Sequence, residues 1–114
     1  MGIEATLETL ERDPVFDIEV AKFKSKDGSI TLLLELPKDL KDLINLKKGS
    51  KVLIDLGEEA DGDLIMKGIV YKLDEGEKRI EVSFHGLWLR MSYKKNPFDL
   101  EEGKEVYLVV KLLK

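Results

Sequence analysis

A chain of 114 residues holds one domain (residues 1–114), and its 43% hydrophobic content is that of a packed globule rather than a disordered segment. It has no cysteine, which excludes disulfides, thiolate nucleophiles and Cys-based zinc sites, and its net charge of −4 argues against tight nonspecific nucleic-acid binding. No apolar run approaches the roughly 18 residues that span a bilayer, and residues 1–6 are too polar for a signal peptide, so a cytoplasmic protein without membrane contact is expected. Charged residues make up 37% of the chain, mostly Lys and Glu, a bias associated with thermophilic sources.

In chain order, apolar residues recur with period two, the mark of half-buried strands. Ile3, Ala5 and Leu7 alternate with Glu4, Thr6 and Glu8. Phe16, Ile18 and Val20 form a second inward set, after which Ala21 and Phe23 take the opposite parity, so a β-bulge is expected near Lys22. Lys26-Asp27-Gly28-Ser29 reads as a hairpin turn, because Asp-Gly tolerates the positive φ angles of a tight turn. Ile30, Leu32, Leu34 and Leu36 then alternate up to Pro37. Leu40, Leu43 and Ile44 place an apolar face on one short helix over residues 39–45.

Val52, Ile54 and Leu56 begin the second half, and residues 57–63 form an acidic loop. A hairpin over residues 64–84 follows, turning at Glu75-Gly76-Glu77-Lys78. Leu87, Leu89 and Met91 alternate with Trp88 and Arg90, and Val106, Leu108, Val110 and Leu112 close the chain. About eight short strands with regular turns imply an all-β fold, a small closed antiparallel barrel rather than an open sheet. Leu46-Lys47-Lys48-Gly49-Ser50-Lys51-Val52 resembles Leu100-Glu101-Glu102-Gly103-Lys104-Glu105-Val106. If that similarity is structural, the two following strands occupy related places on the barrel.

Chemistry-bearing residues are sparse. His85 is the single histidine and lacks the spacing of a nucleophile–base pair or a metal site. Glu4, Glu8, Glu19, Glu35 and Glu81 fall at alternate, solvent-facing positions, without the burial that would shift a catalytic carboxylate. The acidic loop lacks the ligand pattern of a calcium-binding loop, and no Gly-rich phosphate cradle is present. No enzyme activity, cofactor or metal is expected.

Phe84-His85-Gly86-Leu87-Trp88-Leu89-Arg90-Met91-Ser92-Tyr93-Lys94-Lys95 is the segment suited to binding. With Leu87, Leu89 and Met91 inward, Trp88 and Arg90 project outward, and Tyr93, Lys94 and Lys95 are expected to continue the same edge. Trp, Tyr and Arg are enriched in interface hot spots and also stack on unpaired bases. Phe16, Phe23, Phe84 and Tyr107 are read as core or barrel-end residues. A partner-binding module is therefore expected, with an independent single-strand binder as the alternative and an unrelated all-β adaptor as a third reading.

Gly68-Ile69-Val70-Tyr71-Lys72-Leu73, a variable turn, and a strand leading to Gly86-Leu87-Trp88 add a further indication. Together with Ile3-Glu4-Ala5-Thr6-Leu7-Glu8-Thr9-Leu10 and the closing Lys104-Glu105-Val106-Tyr107-Leu108-Val109-Val110, they resemble the family of the eighth subunit of archaeal and eukaryotic RNA polymerases. Trp88 stands where that family tends to have leucine. The resemblance implies an eight-stranded barrel of OB type and a noncatalytic, peripheral role. It also implies docking on the largest polymerase subunit, at most weak contact with single-stranded nucleic acid, and a monomer outside the complex.

Overall fold

In a computed structural model describing residues 2–113, the period-two pattern closes on itself. The strands are β1 (Ile3–Arg12), β2 (Ile18–Ser25), β3 (Ile30–Pro37), β4 (Lys51–Gly57), β5 (Leu64–Asp74), β6 (Arg79–Phe84), β7 (Leu87–Tyr93) and β8 (Glu105–Leu112), with one helix, α1 (Lys38–Leu43). They form a closed barrel in the order β1-β2-β3-β7-β6-β5-β8-β4, every pair antiparallel. Closure leaves no unpaired strand edge. The fold class expected from the sequence, a small OB-type barrel with one short helix, is the one observed. No helix among the described residues is long and apolar enough to cross a membrane.

The barrel is two copies of one design. Strands β1–β2–β3 form a meander with β4 returning beside β1, and β5–β6–β7 form a second with β8 returning beside β5, each a Greek key. The halves meet where β3 pairs with β7 and β4 with β8. The sequence repeat coincides with this pseudo-twofold. Gly49 N–H donates to the Leu7 carbonyl at 2.8 Å and Gly103 N–H to the Val70 carbonyl at 2.7 Å, while Leu7 N–H and Val70 N–H donate back to Ser50 and Lys104. Gly49 and Gly103 both need positive φ, 91° and 81°, to make that turn. One residue beyond Leu7 and Val70, at Glu8 and Tyr71, each half carries a β-bulge.

The core is the inward face of all eight strands, with Phe23, Leu32, Leu34, Leu89, Met91 and Leu108 among its fully buried side chains. Alternation located it correctly in β1, β3, β4, β7 and β8. In β2 it did not. That strand keeps one parity throughout: Glu19, Ala21 and Phe23 point inward while Ile18 and Val20 are half-buried on the outside. Phe16, read as core, precedes the strand and is 63% exposed. The expected bulge at Lys22 lies instead on the facing strand, where Glu8 is extra between Leu7–Phe23 and Thr9–Lys22. The parity conflict arose because β2 carries apolar residues on both faces and a charge on its inner one.

That inward charge is accommodated by α1, which is also displaced from expectation. It ends at Leu43, and Asn45 takes a positive φ of 58° immediately after. Leu40 and Ile44 pack on the core, whereas Leu43 is 81% exposed. The helix stands at the barrel mouth, where Lys41 reaches 2.9 Å from Glu19 and 3.1 Å from Asp42.

One position tests how closely the second half is packed. Gly68 faces inward on β5 beneath the Phe84 ring, opposite Val106. A Cβ there would fall against the Ser83 carbonyl oxygen and 2.6 Å from Phe84 Cδ1. Its counterpart in the first half is Ala5, opposite Val52, where a methyl is already tolerated. Gly68→Ala is expected to lower stability by about 2 kcal/mol through overpacking, read as a melting temperature lower by about 10 °C.

Candidate docking surface

The outward residues of β7 are placed by a tight turn and a side-chain brace. Phe84 pairs with Leu87, so His85 and Gly86 are the two central residues of the β6–β7 hairpin, with φ of 52° and 99°. Positive φ at both is the signature of a type I′ turn. His85 is exposed and its position is explained by that turn. Beyond it, Leu89, Met91 and Tyr93 point into the core and Trp88, Arg90 and Ser92 point out.

Trp88 lies one residue past the last β3–β7 register pair, Leu34–Leu89. Its N–H donates to Glu35 Oε1 at 3.0 Å. The Arg90 guanidinium lies 5.0 Å from the indole centroid, a cation–π distance. Arg90 Nε in turn donates to Glu81 Oε1 at 2.9 Å, across the β6–β7 pair that sets them opposite each other.

Glu81 is a correction to the sequence reading. Expected in solvent, its residue is only 6% exposed, under Arg90 and the Tyr71 hydroxyl. The Arg90 hydrogen bond holds its carboxyl below the usual glutamate range despite the opposing effect of burial. Tyr71 is pushed the other way, its phenol raised first by burial and then by the neighbouring Glu81 charge. Glu19, also expected in solvent, is the other buried carboxylate, at the mouth under α1.

On β5 the bulge places Tyr71 outward, and Ile69 sits in the same row as Ser83 and Trp88. Ile69 is 42% exposed and Tyr71 50% exposed. Leu33, opposite Arg90 on β3, extends the face towards β2. The result is an aromatic and aliphatic surface centred on Trp88, stiffened by two carboxylates whose acceptors are used within the molecule. Rigid aromatic side chains bordered by a satisfied polar network are the anchors typical of protein interfaces.

The residues predicted for this site separate into three groups. Trp88 and Arg90 come together as expected. Tyr93 does not join them, because it shares the parity of Leu89 and Met91 and is only 8% exposed. Lys94 and Lys95 are exposed beyond the far end of β7, six residues from Trp88, which in an extended strand is about 20 Å. Sequence reasoning missed Ile69, Tyr71, Glu81 and Glu35. The signal for the first two was present: residues 69–71 are apolar on both parities, which an ordinary half-buried strand does not need.

Elsewhere the surface offers little chemistry. A recess of about 480 Å3 is bordered by Lys24, Lys26, Lys51, Glu4 and Glu8, and neither buried carboxylate faces it. Among the described residues no cluster of three or more His, Asp or Glu side chains could hold a metal ion. No protein-family model matches the chain, and no curated protein is significantly similar to it.

Proposed function

We propose that this chain is a noncatalytic docking subunit of a multisubunit DNA-directed RNA polymerase, seated on the largest subunit through the face centred on Trp88. The observation that carries the reading is the bracing of Trp88. Its backbone is tied to Glu35 and its ring is stacked by an Arg90 that Glu81 holds in place, an arrangement with no part in filling the core. Two of the segments resembling the polymerase family border this face: Ile69 and Tyr71 come from one, and Trp88, where the family tends to have leucine, lies in the other. On this reading the protein acts in the cytoplasm of a thermophilic archaeon and is a monomer outside the assembly.

A second reading has one observation in its favour. The exposed Tyr71 and the half-buried Trp88 give the face two outward rings beside an arginine, the minimum of a base-stacking platform on an OB-type barrel. Against it, Arg90 is committed to Glu81, Glu35 lies beneath Trp88, and the net charge of −4 repels phosphates. Titrating the chain with a fluorescent single-stranded oligonucleotide at physiological salt separates the two. The docking reading predicts affinity of roughly tens of micromolar or weaker. Submicromolar binding would make the strand, not a protein, the ligand of this face.

A further inference from the structure

The barrel end closed by α1 exposes large apolar side chains that the Trp88 face does not include. Val15 and Phe16, at the tip of the β1–β2 connection, are 78% and 63% exposed, and Leu43 at the end of α1 is 81% exposed. The two elements are tied together: Lys38 N–H, at the start of the helix, donates to the Asp17 carbonyl at 2.9 Å. The tip is held in one conformation. Asp13 Oδ1 accepts from Val15 N–H at 2.8 Å and Phe16 N–H at 3.0 Å, and Asp13 N–H donates to the Ile18 carbonyl at 2.9 Å. Those two hydrogen bonds lower the Asp13 pKa, so the brace persists at neutral pH. A tip already ordered loses little further entropy on binding.

The surroundings are acidic. Residues 11–19 and 38–43 contain six carboxylates and three cations. Three of the carboxylates pair with those cations, Asp17 with Arg12 at 3.5 Å, Asp42 with Lys38 at 3.8 Å and Glu19 with Lys41 at 2.9 Å, so six carboxylates less three cations leave a net charge of −3 over these residues. Asp39 and Glu11 are exposed. Two candidate occupants are disfavoured by this arrangement. A second copy would bring one acidic rim against another. An anionic lipid surface would be repelled by the same rim.

We propose that Val15, Phe16 and Leu43 form a second docking point, inserted into an apolar recess bordered by lysine or arginine side chains on a partner protein. The apolar side chains supply the anchor and the carboxylates orient it against the basic rim. This surface is independent of the Trp88 face, and the two can be inactivated separately.

The test uses the full chain, isotope-labelled, titrated with two synthetic amphipathic peptides of equal length, one built from leucine and lysine and the other from leucine and glutamate. The expected result is saturable amide shifts centred on residues 15, 16 and 43 with the lysine peptide alone. Phe16→Ser or Leu43→Ser should weaken binding at least tenfold, and Trp88→Ala should leave it unchanged. Equal binding of the glutamate peptide, or lysine-peptide binding that survives both serine variants, would overturn the proposal. So would concentration-dependent dimerisation abolished by Phe16→Ser, which would make a second copy the occupant.

Discussion

Truncating Trp88 to alanine is expected to weaken binding to the partner about 30-fold, roughly 2 kcal/mol, while the isolated domain loses only about 1 kcal/mol of stability. The asymmetry follows from where the ring sits. Leu89 and Met91 fill the core on either side of Arg90, whereas Trp88 is outside, half-covered by the guanidinium of Arg90. Within the free protein the indole contributes one cation–π contact and some packing over Ser83, its β6 register partner. In a complex the same ring would be fully desolvated, and a side chain already held in place has less conformational freedom to lose. Calorimetry of the isolated variant, beside titration against the partner, separates the two effects. A large fall in melting temperature with unchanged affinity would make the ring structural. The interface would then be sought on the acidic loop at residues 58–63.

Lys41→Met is expected to be the most destabilising single change outside the apolar core, at about 3 kcal/mol, or a melting temperature lower by about 15 °C. It leaves Glu19 at the barrel mouth without the ammonium that compensates it at 2.9 Å. The pairing also predicts a pH dependence. The hydrogen bonds to Glu19, and secondarily to Asp42, raise the Lys41 pKa above the lysine's usual 10.5. A group whose pKa is raised by folding stabilises the fold fully below its unfolded value and loses that effect as pH rises through the folded one. The gap between wild type and Lys41→Met should therefore stay constant through neutral pH and narrow only above about pH 10.5. Pairing the change with Glu19→Leu should recover most of the loss, because an apolar pair replaces a partly buried ionic one at little net cost. Additive losses in the double variant would show that the two side chains do not act on each other.

How much of this was legible in the sequence varied with the strand. Alternation placed the core of β1, β3, β4, β7 and β8 because in each an unbroken every-other-residue apolar series lies on the inner face, even where Leu33, Leu53, Trp88 or Val109 adds an apolar residue on the other parity. It failed in β2, where Ile18 and Val20 compete with Ala21 and Phe23, and the deciding factor is Lys41, twenty-two residues downstream of Glu19. No local pattern carries that information. Glu81 was misplaced for the same reason, since its cover comes from Arg90 and Tyr71 on neighbouring strands. The Gly49 and Gly103 repeat proved structural: it marks equivalent turns in two Greek keys.

The candidate docking surface was legible only in its centre. Parity alone sends Trp88 and Arg90 outward, but the same rule, carried two residues further, sends Tyr93 inward. Grouping it with Trp88 relied on nearness in sequence where strand geometry alternates faces. Ile69 and Tyr71 join Trp88 through register across β6, and the bulge that turns Tyr71 outward is visible only once β5 and β6 are paired.

Whether this barrel is a docked polymerase subunit, as proposed, is decided by purifying the tagged chain from its native cell under near-physiological salt. The largest polymerase subunit is expected to co-purify in close to equimolar amount and to be lost when the tagged chain carries Trp88→Ala. Recovery of the chain without any large polymerase subunit, at a salt concentration that leaves the polymerase itself intact, would contradict it.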